Sequence, residues 1–479
     1  MNFVQAIKAS GFYHLCSVIS HWASVQWSGS WVVERLSHQK SEQERGSASI
    51  FYKLAHRAHL GLAGLFERLG LTKLLQSSLF CRPALWCILA VVLSPFLPTM
   101  GSLALVLVSL ASLLLLFGRE REKTLLYFPA NKFIYTLAFI YGYATLTSVT
   151  VRGSLFVGML TVLFVLFAIV MMNSITKWSQ VRLMCALSVL VGVAVSLYGF
   201  YQYLNSFAYR SVWTDTNLFT TFEFRVYSTF SNPNVLAEYF LLVLPLGAAM
   251  LVTAKTWKGR VFWLCCDGIM MLCLLLTYSR GAYLGILLAV AVFFVMLDRR
   301  FILLGLLGLA VLPLVMPSSI MERFLSIGNM KDTSSSYRWN IYLGALAMLK
   351  DYWFSGVGPG MEAFNEIYPA YAFSASIAQH AHNLFLQLTS DTGIFGLLAF
   401  CLTVFSFFRT CFTALREEKD FEARVFIITG ISAISGFMVQ SMTDYTFYNY
   451  RVMLLFWAVL ALGLLFTRCR QLKEADAHG

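Results

Sequence analysis

The chain carries little charge. Asp, Glu, Lys and Arg make up 13% of its 479 residues against 58% hydrophobic residues, and the mean hydropathy is +0.69. Too little polar surface remains to cover a water-soluble globule, which argues against two or three soluble domains and for an integral membrane protein. A basic, aromatic-laced domain is also missing. The formal charge of +12 is spread in short runs between apolar segments, the distribution that membrane topology requires rather than nucleic-acid binding. Paired cysteines are absent too: none of the ten forms a CxxC pair, and none falls in the two longest polar loops after residue 200. Cys265, Cys266 and Cys273 sit inside apolar segments, while Cys411 and Cys469 lie beside basic loops. Buried or cytosolic thiols are therefore expected, not a disulfide framework or a zinc site. A cleavable signal is not expected either, because the first strong apolar run begins near Ala84 with no small-residue cleavage site before it.

What is present is a long series of apolar stretches, each of roughly the length an α-helix needs to cross about 30 Å of hydrocarbon. They fall near residues 84–98, 101–117, 133–150, 153–173, 181–204, 234–254, 260–278, 281–298, 300–316, 388–408, 424–442 and 450–467, about twelve spans. The loops "GREREK", "TKWSQVR", "KTWKGR", "DRR", "RTCFTALREEKDFEAR" and "RCRQLK" alternate with loops poor in Lys and Arg. Because cytoplasmic loops are enriched in Lys and Arg, both termini are expected in the cytoplasm. The expected division is a cytoplasmic or interfacial extension over 1–83, a transmembrane domain over 84–467 with an outer loop at about 317–381, and a cytoplasmic tail over 468–479. Within the extension, residues 50–76 have apolar spacing with interspersed cations, which fits an interfacial amphipathic helix. A partner-binding extension fits equally well.

Topology assigns a side to each unusual polar residue. The outer loops have few cations, yet Arg225, Arg280 and Arg338 all fall there, with His380 and His382 at the end of the large loop and Asp444 and Arg451 around the last hairpin. Arg338 begins "RWNIYLGALAMLKDYWF", which reads as an amphipathic helix along the surface. Converging arginines form an anion site, because the guanidinium fork bonds phosphate oxygens in a bidentate, charge-assisted way. Taken singly, each could equally snorkel or anchor a helix end. "SNPN" (231–234) and "GVGPG" (356–360) are turn chemistry first. Histidine titrates near neutrality and can take a proton from a hydroxyl, although a lone histidine at a helix entrance is more often a cap. As a metal pair, His380 and His382 have no third ligand near them in sequence, so no metal is expected.

Four segments carry a resemblance. "HN" at 382–383, nine residues, then "GIFG" at 393–396 is similar to the His-Asn-x9-Gly-x-x-Gly signature of the O-antigen ligase and polymerase superfamily; "SRGAYLG", "TFSNPNVLAEY" and "YRWNIYLGAL" with "FSGVGPG" resemble its other segments in the expected order. The resemblance covers roughly residues 200–450. It implies an all-α, polytopic, GT-C-like glycosyltransferase of the bacterial inner membrane, metal-independent and inverting. The donor would be an undecaprenyl-pyrophosphate-linked glycan and the acceptor a glycan, lipid or protein, with no cofactor. Carried onto this chain, Arg280 and Arg338 would hold the pyrophosphate, Arg225 would be a third contact, and His382 would activate the acceptor hydroxyl. The long extension resembles a branch described as inorganic-carbon (bicarbonate) transporters. A transporter would call for midspan ionisable residues and an internal repeat; Glu238 and Asp267 are the main midspan carboxylates, Asp391 lies nearer the outer boundary, and the halves show no convincing repeat.

Overall fold

The computed structural model describes residues 50–70, 79–120, 131–205, 224–298, 300, 305, 317–326 and 333–477, in two compact units, Met1–Gly61 and Leu62–Gly479. The described part of the first unit is the beginning of helix α1 (Ile50–Arg68). The expected helical stretch over 50–76 is thus helical to Arg68, and its last residues lie outside the described ones.

Among its described residues the second unit has helices and no strand. Its elements are α2 (Pro83–Leu93), α3 (Thr99–Arg119), α4 (Asn131–Leu146), α5 (Val151–Ser174), α6 (Trp178–Leu204), α7 (Pro233–Thr253), α8 (Trp257–Leu275) and α9 (Arg280–Leu297). Next come α10 (Ser318–Leu325), α11 (Thr333–Tyr352) and α12 (Met361–Ile367), then α13 (Leu384–Glu417), α14 (Phe421–Ser441), α15 (Tyr450–Phe466) and α16 (Cys469–Ala477). Seven described helices are long and apolar enough to cross a membrane, or eight if α15 and α16, bent by 75°, form one span. The chain is a polytopic helical membrane protein. The expected twelve exceed that count for identifiable reasons. The expected spans at 84–98 and 133–150 correspond to the shorter apolar helices Pro83–Leu93 and Phe133–Leu146. Helix α8 is 19 residues long but includes Lys258, Arg260 and Asp267, and most of 300–316 lies outside the described residues.

Helix α7 is central: 83% of its apolar window is buried, against 39% for α9 and α13. Helix α15 is enclosed from Val452 to Phe466. Its Phe456 meets Phe437 at 4.7 Å and Phe447 at 5.3 Å, and Trp457 is edge-on to Phe400. Burial from water gives no preference between lipid and protein for such side chains, so close packing must hold the helices together. The α9–α14 crossing shows how. A Cβ on Gly285 would sit 2.7 Å from the Gly436 carbonyl oxygen, and one on Gly436 would sit 2.8 Å from that of Gly285. Only glycine permits this approach, which sets the start of α9 beside the end of α14.

Between α9 and α13, the described part of the expected outer loop builds a small helical cap with its own core. Ile341, Ala345 and Met348 on one face of α11 pack with Val357, Phe364 and Tyr368. The opposite face exposes Trp339 and Leu346, so α11 is apolar on two sides rather than simply amphipathic. Backbone bonds fasten the cap to the bundle: Val357 N–H donates to Ser390 O at 2.7 Å and Ile394 N–H to Trp353 O at 2.8 Å. This contact requires Gly393, whose φ is +67° where α13 is interrupted and whose added Cβ would meet Phe354 O at 1.9 Å. The spaced glycine thus makes a helix break and a docking point for the cap.

Candidate functional site

Each wall of the site begins with a local sequence feature. In "SNPN", Asn232 caps α7 by accepting the Asn234 N–H at 2.8 Å, and Pro233 occupies the first turn, where its missing N–H costs no helical bond. The turn leaves the Asn234 side chain as a bridge, with its Oδ1 accepting from Arg225 Nη2 at 2.9 Å and its Nδ2 donating to Asp444 Oδ2 at 2.6 Å. The expected turn role is therefore carried by Asn232, and Asn234 has a second one. Asn383 caps α13 by accepting the N–H groups of Phe385 and Leu386, which leaves His382 immediately before the helix.

Asp444, on the turn between α14 and α15, is the hub. Its Oδ1 lies 3.1 Å from His382 Nδ1 and accepts the Tyr445 N–H, while its Oδ2 accepts from Asn234 and from Arg338 Nη2 at 3.4 Å. Burial pushes the Asp444 carboxyl upward, but the Arg338 guanidinium and the His382 hydrogen bond more than offset this and hold it well below the ordinary carboxylate range. An ionised Asp444 draws the His382 proton onto Nδ1, leaving the lone pair of Nε2 as a base. His382 itself has φ +46°, and its carbonyl accepts the Tyr342 hydroxyl at 3.0 Å.

A cavity of about 1210 Å³ opens beside this pair, with Arg225, Arg323, Arg338, His380, His382 and Asp444 on its wall. Arg225 is buried, and its Nε donates to Thr277 O at 2.8 Å. Burial, then the charges of Arg323 and Arg338, pushes its guanidinium down to about 9, so it stays protonated at neutral pH. Arg338 reaches the wall from α11. Arg280 is not among the lining residues; from the start of α9 its Nη1 donates to Ser326 O at 3.2 Å, at the end of α10. That helix carries Arg323, which is buried and donates through Nε to Tyr278 O at 3.2 Å. The fold therefore brings Arg225, Arg338 and His382 to one cavity, whose lining does not include Arg280. Arg451, also on the lining, donates to Pro95 O and Thr229 O.

Sequence reasoning missed Arg323 and the pairing of His382 with Asp444. The available signals were modest: an arginine in a short helix of the large loop, and a carboxylate in an aromatic hairpin on the same side as the arginines. The expectation that no third ligand joins the histidine pair also changes, because ligand atoms of His380, His382 and Asp444 lie within 4.8 Å of one another. Their setting favours an anion over a cation, since Arg225, Arg323 and Arg338 share that wall.

No curated protein matches the chain. Residues 266–401 match the family described as O-antigen ligase. The matched segment contains Arg280, Arg323, Arg338 and His382, while Arg225, Asn234 and Asp444 lie outside it. Over this segment, which contributes Arg323, Arg338 and His382 to one cavity, the chain is similar to the O-antigen ligase family.

Proposed function

We propose that the protein transfers or polymerises glycan from an undecaprenyl-pyrophosphate donor onto an acceptor hydroxyl at the outer face of the bacterial inner membrane. The observation that carries this reading is one cavity lined by four guanidinium groups, those of Arg225, Arg323, Arg338 and Arg451, and by a histidine–carboxylate pair. The arginines offer what a leaving pyrophosphate needs, fixed positive charge where negative charge develops. Arg225 and Arg338 hold its oxygens, and Arg280 supports the wall from the start of α9. His382 Nε2 takes the proton of the acceptor hydroxyl as that oxygen attacks the anomeric carbon. The bond from this carbon to the pyrophosphate oxygen breaks, and its electron pair leaves with the pyrophosphate. A single displacement inverts the anomeric configuration. Asp444 stabilises the imidazolium until the proton passes on. The guanidinium groups supply the charge stabilisation, so the mechanism is metal-independent. The basic-loop alternation supports cytoplasmic termini, and the helical, polytopic architecture is consistent with a GT-C frame.

The test uses the purified full chain with an undecaprenyl-pyrophosphate oligosaccharide and a panel of glycan, lipid and protein acceptors. Release of undecaprenyl pyrophosphate, lost in His382→Ala, is expected. No release across the panel, together with bicarbonate flux in proteoliposomes, would overturn the reading. The transporter alternative keeps one observation: Glu238 on the spanning helix α7, which bonds Thr446, and Asp267 on α8 each have one carboxylate oxygen without a hydrogen-bond partner among the described residues.

A further inference from the structure

From sequence, His380 reads as an ordinary loop residue beside His382. In the fold it is 9% exposed. Its ring lies nearly parallel to that of Tyr448 at 5.0 Å and sits 4.2 Å from the His382 ring. Its Nδ1 accepts the backbone N–H of His382 at 3.3 Å. A neutral imidazole accepting at Nδ1 carries its proton on Nε2. Burial, then the neighbouring His382, pushes His380 down to about 3, so that Nδ1 keeps its lone pair near neutral pH.

The His382 backbone needs such a partner. Its φ of +46° lies in the left-handed region, where a non-glycine residue persists only if its surroundings over-determine it. Two hydrogen bonds do so from opposite sides: His380 takes the N–H, and the Tyr342 hydroxyl donates to the C=O at 3.0 Å. With both sides held, the ring reaches Asp444 at 3.1 Å through Nδ1, and its other nitrogen remains for chemistry.

We infer that His380 is a positioning residue whose Nδ1 fixes the His382 backbone in its left-handed conformation and so aims the base into the cavity. The inference rests on the transfer reading above, in which His382 takes the acceptor's proton. Two other uses of the ring compete with it: filling space against Tyr448, or presenting Nε2–H to a substrate oxygen. Three substitutions separate them. His380→Asn keeps an acceptor at the Nδ1 position without the ring, His380→Phe keeps the ring without the acceptor, and His380→Gln keeps a donor at the Nε2 position.

Each variant is measured by undecaprenyl pyrophosphate release beside wild type and His382→Ala, with thermal unfolding to establish folding. The Asn variant is expected to keep kcat within about tenfold, and the Phe and Gln variants to lose about a hundredfold at unchanged donor KM. An active Phe variant with an inactive Asn variant makes His380 a spacer and overturns the inference. An active Gln variant with an inactive Asn variant makes it a substrate contact and also overturns it, as do equal rates in all three. Tyr342→Phe gives a check outside the histidine pair: a lower kcat at unchanged KM is expected, and a wild-type kcat would refute the clamp. Wild-type protein without turnover overturns the transfer reading and this inference together, whereas active wild type with an Asn variant as slow as Phe overturns this inference alone.

Discussion

Two polar clusters, at α16 and around the cavity, use charge in opposite ways. Where α16 meets the starts of α6 and α14, Lys473 pairs with Asp420 at 2.5 Å and Glu422 at 2.8 Å, Arg182 pairs with Glu422, and Asp476 accepts the Ser179 N–H and hydroxyl. Cations and carboxylates there are matched and partly exposed. Around the cavity, Arg225, Arg323, Arg338 and Arg451 face Asp444, the one carboxylate among the described lining residues, and Arg225 and Arg323 are buried. Matched exposed pairs contribute little beyond fastening a helix. Guanidinium groups gathered on one cavity wall offer an anion charge-assisted bonds, and this difference supports the cavity as the proposed binding site.

Substitutions at the two clusters should differ in kind. The largest expected effect is on His382→Ala, with transfer reduced about a thousandfold and donor binding retained; turnover near wild type would remove the base from the mechanism. Next, Asp444→Asn should lower kcat about a hundredfold through loss of the Nδ1 partner. Arg338→Ala and Arg225→Ala should raise the donor KM by about ten- to a hundredfold, the loss of a charge-assisted bond, and inorganic pyrophosphate should compete less well against both. At the other cluster, Lys473→Ala should leave turnover unchanged and cost less than about 1 kcal/mol of stability; a transfer defect there would break the contrast between the clusters.

Acid stability sharpens the comparison further. His380 titrates near 3 when folded and near its ordinary value of about 6.5 when unfolded. Between those values the unfolded chain holds the extra proton, so stability rises with pH and falls on acidification through this window. Thermal unfolding followed from pH 6.5 downward should therefore show a shallower decline in His380→Phe than in wild type; identical slopes would contradict a neutral, buried His380.

Much of the fold was legible from composition and periodicity. The apolar stretches mark the spanning helices where they are long, and they differ from the helices that meet the length and composition of a span where the helix is short, as at Pro83–Leu93, or charged, as in α8 with Lys258, Arg260 and Asp267. The site was legible in part. An arginine in a basic-poor loop and a histidine before a helix cap stand out locally, because each departs from its neighbours. Arg323 does not stand out in this way, since nothing in "MERF" records that α10 turns it toward Arg225.

By itself, then, the sequence determined that this chain is a helical membrane protein, because low charge and long apolar runs satisfy backbone polar groups in lipid only as helices or closed barrels and the runs have helical length. It also determined which residues were chemically equipped for an anion and a proton. Only the tertiary structure decided how they combine. The glycine contact between α9 and α14, and the cap docked at Gly393, carry Arg338, His382 and Asp444 from three separate segments to one wall. The hydrogen-bond reach of those groups depends on packing between distant helices, which a linear pattern of residues does not encode locally.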